Sequence, residues 1–282
     1  MLIRAPQSLG TWVKHFAEAP IPVRAHTIGR LAEMAGNAEE VAVGDVAPLV
    51  LADPMMTVRL LSHVAQIRAM RGRTPAETVA QAMMMIGVPP FFSTVAGPPV
   101  IEDVLAAWPP ALAGVNRVLE RSWRAADFAL ALAVYRKDAD AEVIHEAALM
   151  HDLVETLLWC HAPTLAMAVE ARIAGDPARD ATRAQRAVLN IELCDLAQAL
   201  FAEWRLPELL LRVTNDRSAT DPQARTVLLA LRIARHSSEG WDDPALAGDL
   251  DAAADLLGLS AEAIRERLRG VDGEAAGLTA AS

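Results

Sequence analysis

The sequence has few of the residues that mark disulfide-bonded, strand-rich or membrane-spanning proteins. Its two cysteines, Cys160 and Cys194, lie in apolar helical surroundings without a CxxC partner, so we expect buried free thiols in a reducing cytosol. Aromatic residues make up only 4% of the chain. The start of the chain lacks the apolar run of a signal peptide, and no run reaches the roughly 18 apolar residues that span a bilayer. We therefore expect a soluble, cytoplasmic protein with no membrane partner.

Positive charge is also scarce. The 26 basic residues are outnumbered by 36 acidic ones, which gives 282 residues a net charge of −10. Lys14 and Lys137 are the only lysines. A broad phosphate-binding surface is not expected from this balance, so nucleic acid is excluded as a predicted partner.

The residues that are abundant favour helix. Ala, Leu, Arg and Glu dominate, and the alternation typical of strands is rare. Helix starts are predicted at Ser8, at Asp53 with Pro54 in the first helical position, and at a capping box from Thr74 to Glu77. The stretch "VGDVAPLVL" is interpreted as a helix start despite its strand-like composition. The sequence therefore predicts an all-α fold.

An apolar stripe indicates the core of one long helix. Leu119, Trp123, Ala126 and Leu130 recur at three- and four-residue spacing, which places them on one helical face. Trp123 on this stripe and Trp204 further along are both predicted to be largely buried.

Five motifs in a fixed order resemble the HDOD family, the signalling relatives of the HD-domain phosphohydrolases. They are "IPVRAHTIGRL", "VLADPMMTVRLLSHV", "TVAQAMMMIG", "HEAALMHDLVETLL" and "WRLPELLLRV", and they cover about residues 18–240. The resemblance implies a two-lobed helical fold, in which an N-terminal bundle packs on a degenerate HD-like bundle. We predict an N-terminal lobe over 1–100, an HD-like lobe over 101–240, C-terminal helices over 241–272 and a disordered tail over 273–282.

His151 and Asp152 match the pair that gives the HD superfamily its name. Hydrolysis by an HD enzyme needs a metal that acidifies water, and that metal takes ligands from several helices. Arg121-Ser122 stand where the superfamily would supply a histidine, and a guanidinium cannot ligate a metal. The other expected positions also depart from the pattern: Asn190 and Leu193 replace a Gly-x-x-His, Asn215-Asp216 replace a His-His pair, and "LLALRIARH" lacks the late aspartate.

Other histidines do not complete the set if the chain around the pair is one helix. His145 and His161 would then lie about 9 Å and about 15 Å along the axis from His151, too far to share a metal. Three interpretations of His151-Asp152 stay open. The pair is a structural element, with Asp152 capping or pairing with Arg121 and His151 bound to a carbonyl or Glu155. Alternatively the pair is a ligand to an adventitious or partial metal, or it belongs to a catalytic metal centre.

The resemblance and the missing ligands together predict a non-catalytic regulatory or scaffolding protein of bacterial signal transduction. No catalytic residue, metal or cofactor is predicted, and His151-Asp152 is interpreted as a vestigial site. The predicted partner is another signalling protein or a small phosphorylated ligand. Such a ligand would bind in a cleft between the helices that carry Arg121 and the pair, with Glu155 beside it. The alternative function is a metal-dependent phosphohydrolase of nucleotides or cyclic dinucleotides.

Overall fold

Helix dominates the chain, as predicted. The computed structural model describes residues 1–95, 97–176, 180–217 and 220–279. It is 72% helical, and within those ranges no strand forms beyond one isolated bridge, Val23 to Val100. The all-α prediction is confirmed.

The helices are numbered in chain order. Those before the proline pair 109–110 are α1 (Leu9–Glu18), α2 (Ala25–Ala35), α3 (Val43–Leu51), α4 (Pro54–Met70), α5 (Val79–Ile86), α6 (Val88–Val95) and α7 (Ile101–Val104). Those from the proline pair onward are α8 (Pro109–Tyr135), α9 (Ala141–His151), α10 (Leu153–His161), α11 (Pro163–Ala174), α12 (Ala181–Leu189), α13 (Leu193–Glu203), α14 (Glu208–Val213), α15 (Pro222–His236), α16 (Ala245–Leu257) and α17 (Ala261–Thr279).

The chain divides into two compact units, and each is built from two separate stretches. Unit 1 comprises Met1–Leu119 and Asp152–Leu211, and unit 2 comprises Glu120–His151 and Arg212–Ser282. This division differs from the boundaries predicted at residues 100 and 240. The proline-rich segment that suggested the first boundary leads into α8, which contributes residues to both units.

Unit 1 holds the N-terminal helices and the middle of the chain. Helices α3, α4 and α5 pack on one another, α1 packs on α13, and α10 packs on α11 and α13. Trp12 and Phe16 on α1 are fully buried and stack with ring centroids 5.5 Å apart. The Trp12 indole Nε1 donates to the Leu189 carbonyl at 3.0 Å, which satisfies the one polar atom of that ring.

Asp53 connects the first two of the five motifs, which are separate in sequence. Its side chain is fully buried and caps α4 by accepting from the Met55 and Met56 amides at 3.0 and 3.3 Å. The other carboxylate oxygen accepts from the Arg24 amide and the Thr27 hydroxyl, both at 3.0 Å. The predicted cap of α4 at Asp53-Pro54 is therefore confirmed. The same carboxylate also joins the start of α2 to the start of α4.

Unit 2 is a separate helical packing arrangement. Helix α15 packs on α9 and α16, and α16 packs on α17. Arg124 on α8 donates through Nε and Nη2 to both carboxylate oxygens of Asp272, at 2.7 and 2.9 Å. Its remaining donors reach the Ala234 carbonyl at 2.8 Å and the Ser237 hydroxyl at 2.7 Å. A single guanidinium thus connects α8, the end of α15 and α17.

Several predicted helix features are confirmed and others are wrong. Ser8 caps α1, and "VGDVAPLVL" forms α3. The helix predicted at Thr74 begins instead at Val79, because the Thr78 hydroxyl accepts from the Gln81 amide and acts as the cap. Helix α17 is assigned as far as Thr279, and residues 280–282 of the predicted tail 273–282 lie outside the described ranges.

The two tryptophan predictions have different outcomes. Trp204 is buried, with 6% of its surface exposed, which confirms the prediction for Trp204. Trp123 is only partly buried, although Leu119 and Ala126 on the same predicted stripe are fully buried. The spacing identified the inward face of α8 correctly, and Trp123 and Leu130 lie toward its edge.

Among the described residues, none of the helices combines the length and the apolar composition that a membrane span requires.

Candidate functional site

The His-Asp pair lies at a break between two helices. Helix α9 ends at His151, and α10 begins at Leu153. Asp152 occupies the intervening position with φ −89° and ψ 13°, and its side chain makes no capping hydrogen bond to α10. The expectation of one continuous helix is therefore wrong. Asp152 occupies the N-cap position of α10, where its backbone carbonyl accepts from the Glu155 and Thr156 amides at 3.1 and 3.2 Å, and its pairing with Arg121 stays a prediction. Asp152 is 7% exposed, so a buried carboxylate marks the junction.

The His151 imidazole is hydrogen-bonded to a carboxylate that the sequence did not single out as its partner. Nε2 of His151 lies 2.6 Å from Oδ1 of Asp216, and both residues belong to unit 2. An ionised carboxylate only accepts, so the Nε2 proton is donated to Asp216. The predicted contact of His151 with a carbonyl or with Glu155 stays a prediction. Asp216 follows α14, where relatives often carry a His-His pair.

The residues predicted to line a ligand cleft fall in different units. Arg121 lies on α8 in unit 2 and is partly buried, next to the buried Ser122. Glu155 lies in the first turn of α10 in unit 1 and is also partly buried. A cleft formed by Arg121 and Glu155 stays a prediction.

Asn190 shows why one departure from the family pattern is structurally mild. It ends α12 in the left-handed conformation, with φ 64° and ψ 7°, where relatives have the glycine of Gly-x-x-His. Glycine reaches this conformation without strain, and asparagine is among the few other residues that adopt it readily. The Asn190 side chain also donates to the Pro6 carbonyl at 3.2 Å. This position therefore keeps a structural function as a helix end.

The two other histidines near the pair in sequence have their own environments. Burial lowers the pKa of His145 on α9 to about 4, so its imidazole is neutral at neutral pH. His161, the last residue of α10, lies with Nε2 3.0 Å from the Pro20 carbonyl. Burial is the main reason that the pKa of His161 is lowered. His145 is therefore desolvated within α9, and His161 has a local contact with the Pro20 carbonyl.

A separate group of metal-ligand side chains lies at the start of α13. Among the described residues, Glu192, Cys194 and Asp195 have ligand atoms within 4.8 Å of one another. The Arg186 guanidinium donates to Glu192 at 2.8 Å and already neutralises that carboxylate. This group is remote in sequence from His151-Asp152 and is not part of the HD pair.

The two cysteines are both free thiols but differ in burial. Cys160 is fully buried, as predicted, and burial raises the pKa of its thiol to about 12. Cys194 is partly exposed, so its predicted burial is wrong.

The donor set does not fit the metal centre of an HD hydrolase. His151 Nε2 is engaged with Asp216, and the expected upstream ligand is the permanent cation Arg121. Asn190 serves as a helix end. Among the described residues, the group of three potential metal ligands that lies close together is Glu192, Cys194 and Asp195, and it does not include the pair.

The helical fold and the retained His-Asp pair define a protein of the degenerate HD-like class. The model of the HDOD domain matches residues 21–219, and the chain belongs to this family. A search of curated proteins gives no match.

Solved structures share the fold at low sequence identity. MmoQ, a response regulator from Methylococcus capsulatus, is 20% identical, with a TM-score of 0.67 over 88% of this chain and 98% of that one. A virulence factor from Campylobacter jejuni is 13% identical, with a TM-score of 0.65 over 95% of this chain and 99% of that one. Both similarities establish the helical fold.

Proposed function

We propose that this chain is a non-catalytic regulatory or scaffolding protein of signal transduction, which acts by binding another signalling protein or a small ligand. The observation that carries the proposal is the 2.6 Å hydrogen bond between His151 Nε2 and Asp216. It engages the Nε2 nitrogen of the retained histidine with a carboxylate, so that this nitrogen does not serve as a metal ligand while the bond is made. The similarity in fold to MmoQ, which is named a response regulator, supports a signalling role.

Residue chemistry supports the same conclusion. A phosphohydrolase of this class polarises a phosphoryl oxygen and generates hydroxide at a metal held by several His and Asp side chains. Arg121 would bring a fixed positive charge to the position of one such ligand, and a cation there repels a divalent metal. The Arg121 guanidinium is suited instead to hold a phosphate or carboxylate of a bound ligand.

A metal-dependent phosphohydrolase is the competing function, favoured by the pair itself and by the Asp216 carboxylate next to it. Carboxylates often orient metal-bound histidines through the nitrogen that does not bind metal. In that case His151 would bind through Nδ1.

Turnover distinguishes the two functions. The purified full chain should be assayed against a generic phosphodiester, nucleotides and cyclic dinucleotides, with Mg²⁺, Mn²⁺, Fe²⁺ or Zn²⁺ added in turn. We expect no activity above that of the Asp152→Ala and His151→Ala variants under any condition. Activity that is present in the wild type and lost in both folded variants would establish the hydrolase.

A further inference from the structure

Unit 1 contains a cavity that is separate from the His-Asp pair. Its volume is about 280 Å³, and its walls come from the end of α1, the segment that follows it, α4, α6 and Trp204. This volume lies just below the roughly 300–1,000 Å³ of small-molecule sites, so the cavity suits a small ligand.

One polar stripe of α4 faces the cavity. Arg59, Ser62, His63 and Gln66 all line it, and they are spaced at i, i+3, i+4 and i+7 on one helical face. The remainder of α4 up to Ala65 is largely buried and apolar. The wall that α4 contributes is therefore polar, which favours a polar occupant of the cavity over an apolar one.

Arg59 is the charged member of the stripe. Its Nη1 donates to the Ile21 carbonyl at a long 3.4 Å, and its Nε is buried with no hydrogen-bond partner in the described part of the chain. No carboxylate among the described residues pairs with it. Burial lowers the pKa of Arg59, which shows that the guanidinium is partly desolvated. An unpaired buried donor on a cation is costly, and an anionic acceptor would offset that cost.

The other side of the cavity offers neutral polar groups and an aromatic wall. The Thr94 hydroxyl on α6 lies 3.5 Å from His63 Nε2. Burial and the charge of Arg59 both lower the pKa of His63, so the imidazole is neutral at neutral pH. Trp204 is buried and supplies an apolar face. Cation, hydroxyl, imidazole and indole therefore converge on one small volume.

We propose that this cavity binds a small organic anion through Arg59, His63 and Thr94. Its carboxylate or phosphate group accepts from the Arg59 guanidinium, a fixed cation that pairs well with both kinds of anion. The body of the ligand lies against Trp204. The proposal does not depend on whether the His-Asp pair is catalytic, because both sites can be tested independently.

Calorimetric titration of the full chain with defined probes tests the proposal. The probes are inorganic phosphate, glycerol phosphate and succinate, with glycerol as the neutral control. We expect at least one anion to bind once per chain with a Kd of about 1 mM or tighter, and glycerol not to bind. Binding of the phosphate probes alone identifies a phosphorylated ligand, and binding of succinate alone identifies a carboxylate.

Variants locate the binding. Arg59→Gln should weaken Kd about tenfold or more, and Arg59→Lys should weaken it less because the charge remains. Arg71→Gln changes an exposed arginine at the end of the same helix and should leave Kd unchanged. Thr94→Val provides a second cavity variant if Arg59→Gln does not fold. Failure of all three anions to bind at about 10 mM would overturn the proposal, as would equal binding by Arg59→Gln or equal weakening by Arg71→Gln.

Discussion

Replacement of Asp53 should be among the most damaging single changes in unit 1. Asp53→Ala removes a buried acceptor that serves two α4 amides, the Arg24 amide and the Thr27 hydroxyl. Loss of the cap costs about 1 kcal/mol, and each buried donor left without an acceptor costs about 1–3 kcal/mol. Part of this is offset because a carboxylate no longer has to be buried. We expect a net loss of about 3–5 kcal/mol in the free energy of unfolding.

Two further variants make the prediction quantitative. Asp53→Asn keeps one acceptor oxygen and should cost about half as much as Asp53→Ala, roughly 1–3 kcal/mol. Asp45→Ala is the matched control, because Asp45 makes one exposed hydrogen bond to the Ala42 amide at 2.9 Å. That change should cost about 0.5–1 kcal/mol. Urea unfolding followed by far-UV circular dichroism gives all three values. If Asp53→Ala and Asp45→Ala cost the same, the reasoning about the buried carboxylate is refuted.

Three other changes test packing, pH dependence and the unit 2 network. Gly114→Ala would bring a Cβ to 2.6 Å from the Trp159 ring, so we expect the free energy of unfolding to fall by about 1–2 kcal/mol, seen as a lower thermal midpoint. Gly29→Ala, with open space around the new Cβ, is the control and should be neutral or stabilising. Burial lowers the folded pKa of His145 from 6.5 to about 4. The unfolded chain therefore binds the proton at a higher pH than the folded chain, and up to about 3 kcal/mol of the free energy of unfolding is lost as the pH falls from 6.5 to about 4. The free energy of unfolding, measured at about pH 7 and pH 5, should fall less in His145→Gln than in the wild type. Arg124→Lys cannot reproduce the paired bonds of the guanidinium and should cost about 2–4 kcal/mol by thermal denaturation, and a loss below about 0.5 kcal/mol would contradict that role.

Local chemistry made most of the helices predictable from sequence. Ser8 and Asp53 both cap helices as expected, because the side-chain oxygen of a cap acts on amides only two or three residues away. The capping box at Thr74 was wrong because a second threonine, Thr78, competes for the same function closer to the apolar run of α5. Cap residues therefore identified the helices better than their first residues.

The candidate site was less predictable because its contacts join distant parts of the chain. The break after His151 carries no proline or glycine signal, so the sequence there resembles a continuous helix. Asp216 is 65 residues from His151, and no spacing rule connects them. Four positions on α4 did carry a readable signal, the polar stripe from Arg59 to Gln66, but its significance depends on the cavity that other helices form.

The metal content of the purified protein tests the central claim most directly. The chain should be expressed and purified without chelator, and its transition metals measured by elemental analysis alongside Asp152→Ala. If the His151–Asp216 pair is structural, we expect far less than one metal ion per chain in both the wild type and Asp152→Ala. The two proteins should then differ in stability and not in metal content. About one transition-metal ion per chain, lost in Asp152→Ala together with a phosphodiesterase activity, would contradict the account and identify a hydrolase.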